Sequence, residues 1–258
     1  MYAPERQQAI LGRARAEGRV DVTSLAADLD VTSETIRRDL RELERRGTLR
    51  RVHGGAIAVE RRLGIEPAVE ERYSVQADAK ERIAKAAVEH VLGLLPDGGS
   101  LLLDAGTTTV RFADLLPMDR TYTVVTHALP IASLMVGRPN VTVHLVGGQV
   151  RPGTLAAVGP WAERAFAEVS ADVAIAGTNG ISAGRGVTTP DMAEAATKRA
   201  ILRSARQCVL LADSSKFGRD EFAHVADLSE IDTIITDSEV ASDMVDEIRT
   251  AGPEVVEA

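Results

Sequence analysis

Residues 32–55 read TSETIRRDLRELERRGTLRRVHGG, and two periodicities meet inside them. Ile36, Leu40 and Leu43 recur at helical spacing and make one apolar stripe, while Arg38, Arg41 and Arg45 lie opposite it and Arg37 on its flank. Thr32 or Ser33 can cap the start of this helix, and Gly47 is a natural stop. After Gly47 the pattern alternates through Leu49, Val52 and Ile57 around a Gly54-Gly55 turn, which predicts a small hairpin with Arg50, Arg51 and His53 at its tip. Upstream, Val22 to Leu29 reads as a short helix starting at Thr23, and Asp30-Val31 turns the chain into Thr32. A positioning helix, a tight turn, a basic helix and a basic hairpin together outline a winged helix-turn-helix, whose second helix reads a DNA groove. The competing interpretation is a solvated helix beside a structural hairpin, and Glu34 and Glu42 do dilute the arginines. The ordered combination decides for the first.

The segments VTSETIRRDLRELERRG and LRRVHGGAI resemble the signature of the DeoR family of bacterial transcriptional regulators. The resemblance implies a DNA-binding domain coupled to a sensor for a phosphorylated sugar or related metabolite. It puts Ser33, Thr35, Arg37, Arg38, Arg41, Arg50, Arg51, His53 and Gly54 at the DNA.

Charge is distributed in keeping with that expectation. The net charge of the 258 residues is −8, which by itself disfavours a polyanionic partner. Residues 1–62, however, hold 13 Arg against 10 Asp and Glu, and the remainder holds 17 basic against 28 acidic side chains. The basic excess therefore sits with the reading helix. Lysine occurs only at 80, 85, 198 and 216. The hydrophobic share of 45% supports a true core, no apolar run approaches a membrane span, and the charged start argues against a signal peptide. The single cysteine, Cys208, sits in the apolar run CVLLAD, reads as a buried strand residue, and suits a reduced cytoplasm. Five scattered histidines lack ligand spacing, so no metal site is expected, and no cofactor either.

Along the chain, residues 4–17 read as a first helix with Ile10, Leu11 and Ala14 facing a small core, ended by Gly18, and Val20–Val22 as a strand joining the wing. The expected domains are a winged helix-turn-helix over 1–59, a polar linker over 60–76, and an α/β sensor over 77–258. The sensor opens with a helix at 77–95. From Ser100 onward the apolar runs SLLLDAG, YTVVTH, VTVHLVGG, ADVAIAGTNG, CVLLAD and DTIITD alternate with helices near 108–116, 128–136, 161–168, 191–205 and 240–250. Continuous apolar strands between helices predict a mostly parallel sheet covered on both faces. Ligands of such sheets bind beyond the carboxyl ends of the strands.

That rule selects DAGTTT, TH, GGQ, GTNG and DSSKFG. Gly106 and Thr107–Thr109 open a helix, where free N–H groups suit a phosphate, although Asp and Thr also serve ordinary caps. The segment lacks a P-loop's Gly-Lys-Ser/Thr and a dinucleotide fingerprint. Gly147-Gly148 suggests a close backbone approach or a bare turn. His127 reads equally as a hydrogen-bond donor to a ligand or as a structural residue. Asp191 and Glu194 have capping-box spacing, and Glu194 with Lys198 forms an i,i+4 pair, yet all three could instead face a polyol. Lys216 is either a phosphate counter-charge or a loop lysine.

These segments also resemble the DeoR sensor domain, which is similar to ribose-5-phosphate isomerase and the coenzyme A transferases. The resemblance implies that Gly106, Thr107, Thr108 and Thr109 hold a phosphate with Lys198 and Lys216 nearby. It further implies that Asp104, Asp191 and Glu194 take sugar hydroxyls, with His127, Gly147 and Gly148 lining the same site. His127 departs from the Asn of many relatives. The expected function is a cytoplasmic homo-oligomer, dimer or tetramer, that binds double-stranded operator DNA and represses a sugar-catabolic operon until a phosphorylated sugar releases it. The MYAPERQQAI start looks most like the family's fructose-operon repressors, hence fructose 1-phosphate first. The alternative from another class is a sugar-phosphate isomerase or transferase with a DNA-binding appendage, and a corepressor-dependent activator is a third reading.

Overall fold

The computed structural model describes residues 3–17, 19–45, 49–52, 54–58, 69–95 and 97–258. It divides into two compact units, 1–62 and 63–258.

The first unit contains α1 (Ala3–Glu17), β1 (Arg19–Asp21), α2 (Val22–Asp28), α3 (Ser33–Arg45), β2 (Leu49–Val52) and β3 (Gly55–Ala58). Its three-stranded sheet has the order β1-β3-β2, all antiparallel. Ile36, Leu40 and Leu43 of α3 are buried against Ile10, Ala14, Leu25 and Leu49. Burying each such aliphatic side chain stabilises by about 1.5–3 kcal/mol. α2 begins one residue before Thr23, because Asp21 accepts from the amides of Thr23 (2.9 Å) and Ser24 (3.1 Å) and acts as its cap. Thr32 caps α3 through its hydroxyl, which accepts from the Thr35 amide at 3.2 Å. A buried ion pair, Arg6 Nε to Asp39 Oδ2 at 2.6 Å, ties α1 to the inner side of α3. At the wing, a Cβ on Gly55 would lie 2.0 Å from the Val20 carbonyl oxygen, so no other residue fits where β3 meets β1. Gly18, Gly47 and His53 lie outside the described residues.

Within the segment expected as linker, Val69–Ser74 is helical (α4). Its Arg72 reaches across the second unit to the carbonyl of Gly153 at 2.7 Å, a long-range anchor that local polarity conceals. The second unit continues with α5 (Ala77–Leu94), β4 (Ser100–Leu103), α6 (Thr107–Leu115), β5 (Tyr122–Thr126), α7 (Leu129–Met135), β6 (Val141–Leu145), β7 (Gln149–Arg151), β8 (Ala156–Val158), α8 (Pro160–Ala167), β9 (Ala171–Gly177), β10 (Gly180–Ser182), β11 (Gly186–Thr189), α9 (Met192–Arg203), β12 (Ala205–Leu211), β13 (Ala223–Ala226), β14 (Thr233–Thr236), α10 (Ser242–Thr250) and β15 (Glu254–Glu257).

Seven strands form a wholly parallel sheet in the order β15-β14-β12-β9-β4-β5-β6. Side chains alternate between its faces. Leu101, Leu103, Val173 and Ile175 pack with α5, α6 and α7, whereas Leu102, Ala174 and Val125 pack with Ala162 and Phe166 of α8 and Ile201 of α9. All six strands read from the sequence belong to this sheet. β6, read as buried, is instead its edge, with Leu145 52% exposed. The seventh strand, the β7–β8 ribbon and the small β10-β11-β13 sheet were not anticipated, because three- and four-residue strands leave too little period to read. The strand order reverses direction at β4 and β9, and such a switch point opens a crevice at the strand ends.

Candidate DNA interface and sensor site

α3 turns its charged side outward. The Arg38 side chain is exposed and, among the described residues, has no hydrogen bond or ion pair, and the same holds for the Arg50 side chain in the wing. Glu34 takes Arg41 at 2.7 Å and Arg37 at 3.4 Å. Glu44 takes Arg51 at 2.7 Å and also accepts its backbone amide at 2.9 Å. Ser33 and Thr35 are half-buried on the first turn. Gly54 is exposed at φ +81°, a left-handed conformation suited to glycine. Arg37, Arg51, Val52, Gly54 and Gly55 line a groove of about 470 Å³ between α3 and the wing.

The sensor site begins at the switch point. Asp104, directly after β4, is fully buried. Its Oδ2 accepts from the Gly177 amide at the end of β9 (3.0 Å) and from the Lys198 ammonium of α9. Lys198 also donates to the Gly177 carbonyl at 3.2 Å. His127, after β5, donates from Nδ1 to the Ala157 carbonyl (2.6 Å), leaving Nε2 3.1 Å from Asp104 Oδ1 and 3.2 Å from the Ala105 amide. Burial alone would raise the Asp104 carboxyl, but the Lys198 charge and the His127 hydrogen bond outweigh it and hold the group at about 2. Both of its oxygens are engaged within the protein, so Asp104 orders its neighbours instead of facing outward.

Among the described residues the Glu194–Lys198 pair expected on α9 does not form, because Arg151 takes Glu194 and Lys198 turns to the Asp104 carboxylate across the crevice. Asp191 does cap α9, accepting from the amides of Ala193 and Glu194 at 2.9 Å each. Glu194, also buried, takes Arg151 at 2.6 Å, and Asp191 lies 3.5 Å from the same guanidinium. Arg151 gave no signal in the sequence; it arrives on the β7–β8 ribbon. That ribbon explains one glycine: a Cβ on Gly148 would lie 2.7 Å from the Val158 carbonyl oxygen, whereas one on Gly147 would meet nothing. The close approach at Gly148 is to the chain itself.

At the other end of the crevice, Gly106 precedes α6 without giving it a side-chain cap, and Thr107, Thr108 and Thr109 are buried. Among the described residues the Thr109 hydroxyl has no hydrogen-bond partner, a costly state for a buried polar group. Lys216 stands on a short turn after β12 whose first residues are capped by Asp213, with the Ser215 amide donating at 3.1 Å. Lys80 of α5 is buried, and its ammonium donates to the carbonyls of Arg72 and Val75 at 2.7 Å each. Burial pushes it down to about 8; Asp213 opposes this, while Lys216, Arg111 and Arg72 add to it. Lys80 was legible in principle, lying three and four residues before Ile83 and Ala84 on the apolar stripe of α5. Arg111, one turn into α6, donates to the Tyr73 carbonyl at 3.1 Å. Among the described residues no group of three or more His, Cys, Asp or Glu side chains could hold a metal, and no helix is long and apolar enough to cross a membrane.

A winged helix-turn-helix followed by a parallel α/β domain with a charged crevice defines a DNA-binding regulator of the sensor type. Residues 6–62 match the DeoR-like helix-turn-helix domain and residues 75–238 the DeoR C terminal sensor domain. The chain is 38% identical over 257 residues to the HTH-type transcriptional regulator GlpR of Haloferax volcanii, covering all of this chain and 98% of that protein. It is 35% identical to the uncharacterized HTH-type transcriptional regulator FruR of Bacillus subtilis, over 93% of each. It is 29% identical to the glycerol-3-phosphate regulon repressor of Escherichia coli K12, over 92% of each. The chain belongs to the DeoR family of transcriptional regulators. Ribose 5-phosphate isomerase A of Methanocaldococcus jannaschii overlaps 55% of each chain at 17% identity and a TM-score of 0.40, too shallow a likeness to bear on ligand or activity.

Proposed function

We propose that this regulator is a cytoplasmic homo-oligomeric repressor of a sugar-catabolic operon, released from its operator by a phosphorylated sugar, with fructose 1-phosphate the first candidate. One observation carries the reading: Lys216, Arg111 and Arg72, with Asp213 the opposing charge, all lie close enough to act on the buried Lys80 ammonium, and the first turn of α6, which carries Arg111, holds a buried Thr109 hydroxyl with no hydrogen-bond partner among the described residues. Crowded cations held partly out of water repel one another, and a phosphate dianion relieves that repulsion. The uncapped start of α6 adds N–H groups and a favourable dipole. Glu194 and Asp191 then suit the sugar hydroxyls, with Arg151 as the partner they must share. The choice of fructose rests on the resemblance of the MYAPERQQAI start to the family's fructose-operon repressors, and the phosphate agrees with a relative named for the glycerol-3-phosphate regulon. Binding shifts the protein towards a state with weaker DNA affinity.

Calorimetry tests the phosphate. Fructose 1-phosphate should bind far more tightly than fructose, because hydrogen bonds to a charged group contribute about 1.5–3 kcal/mol against 0.5–1.5 for neutral ones. Thr108→Ala combined with Lys216→Ala should remove the response while operator binding persists. Fructose binding as tightly as its phosphate ends the phosphate-site reading, and binding of another sugar phosphate alone ends only the choice of sugar.

A further inference from the structure

The two edges of the seven-stranded sheet differ in charge. β15 ends one side with exposed Glu254 and Glu257, the usual protection of an open strand edge. β6 ends the other with VTVHL and no formal charge. The neutrality extends beyond the strand. The thirty residues 121–150 contain one Lys, Arg, Asp or Glu, Arg138, in a chain that is 26% charged. Arg138 is itself turned inward, donating to the carbonyls of Ala113 (3.1 Å), Asp114 (3.3 Å) and Leu116.

This edge also exposes apolar side chains among its uncharged polar ones, Thr142 and His144. Leu129, Ser133 and the C-cap Val136 recur at i, i+4 and i+7 and make the exposed stripe of α7, the helix packed on β6. Val136 is 73% and Leu145 52% exposed. An uncharged strand edge flanked by exposed Leu129 and Val136 is a surface that native chains cover or guard. Here no guard is present in the strand.

We infer that the β6 edge, with the outer stripe of α7, is where two copies of this chain pair about a two-fold axis, joining their sheets through antiparallel β6 strands. Charge selects the occupant. A two-fold contact sets a surface against its own image, so β15 would oppose its glutamates to like charges, whereas β6 has none to oppose. The same neutrality gives DNA or an acidic partner nothing to hold. The assignment rests on the homo-oligomer proposed above and specifies its surface. Through Val146, whose amide donates to the Thr126 carbonyl at 2.8 Å, β6 runs directly into Gly147-Gly148 of the sensor site. The paired surface therefore adjoins the crevice of each copy.

The test uses the full chain, since its one cysteine, Cys208, is buried, donates to the Leu202 carbonyl and has its thiol pushed up to about 11. His144→Cys on β6 and Glu257→Cys on β15 are each treated with a short bis-maleimide, and sedimentation velocity compares wild type with Leu145→Lys. The expected result is an oligomeric wild type, double-mass product from residue 144 only, and self-association weakened about tenfold or more by Leu145→Lys, since like charges then meet across the axis. Unchanged thermal unfolding of Leu145→Lys, whose side chain already reaches solvent, separates this from misfolding. An oligomeric wild type with no product from residue 144 and no effect of Leu145→Lys overturns this surface and leaves the homo-oligomer standing. A wild type that is monomeric at every concentration overturns both. A product from residue 144 only with a protein of different mass gives the edge to another partner and overturns the self-pairing.

Discussion

The reading head and the sensor use the same ion pairs in opposite ways. Glu34 and Arg41 meet at 2.7 Å with side chains 69% and 54% exposed. Asp104 and Lys198 meet with 0% and 6% exposed. An exposed pair contributes about 0–1 kcal/mol and can trade its acid for a phosphate at little cost. A buried pair cannot be opened without leaving a charge stranded away from water. One region is built to exchange partners and the other to hold its geometry.

The contrast is broken most severely at Lys198. Lys198→Met leaves the Asp104 carboxylate buried with only His127 and the Gly177 amide as partners and should lower unfolding free energy by about 3–5 kcal/mol in urea denaturation. A loss below about 1 kcal/mol would mean that this pair behaves like those on the surface. Sign follows from the same group: its carboxyl is held at about 2, below the ordinary 3.8, so its contribution is present above 3.8 and lost as pH falls through about 2.

In the reading head, Arg38→Ala should lower operator affinity by roughly 1–3 kcal/mol if the guanidinium reads a base. Unfolding should not change, since the exposed Arg38 side chain has no hydrogen bond or ion pair among the described residues. Arg51→Ala should instead reduce the salt slope of log K by about 0.9, the signature of one phosphate contact. Operator binding by Arg38→Ala equal to wild type at fixed salt removes it from the interface, and an unchanged slope keeps the wing off the DNA.

Lys80 gives the smallest signal, and it sharpens the comparison by testing a buried charge that must still exchange. Its pKa of about 8 lies below the ordinary 10.5. In the free protein this opposes folding below about pH 8, and the penalty fades as pH rises from there to 10.5. A bound phosphate raises the pKa again, so titration with fructose 1-phosphate at pH 8 should take up about half a proton per site. Calorimetry in two buffers of different ionisation heat measures it, and no uptake puts the phosphate elsewhere.

What the sequence made legible follows from the range of the interactions. The stripe Ile36, Leu40, Leu43, a turn at Gly54 and six strands are local patterns, and each appears in the structure, although Gly55 belongs to β3 and β6 lies at the exposed edge of the sheet. So does the convergence of DAGTTT, TH, GTNG and α9, because parallel topology brings strand ends together. The partner of each charge was not legible. Lys198 chose Asp104, 94 residues away, over Glu194. Arg151 came to Glu194 on a ribbon of three-residue strands. α4 lay in a polar stretch whose anchor, Gly153, is 81 residues distant. Glu34, first seen with Glu42 as diluting the arginines, proves to hold Arg41, and Glu44, which gave no signal, holds Arg51.

The most direct measurement is release from DNA. An operator fragment selected from the organism's own genome with the purified protein is labelled, and fluorescence anisotropy follows the complex at one fixed salt concentration. Fructose 1-phosphate should release the fragment at concentrations where fructose leaves it bound, and Thr108→Ala with Lys216→Ala should bind the fragment and ignore both. Equal release by fructose and its phosphate, or release from the doubly substituted protein as from wild type, would contradict a sensor built around a phosphate.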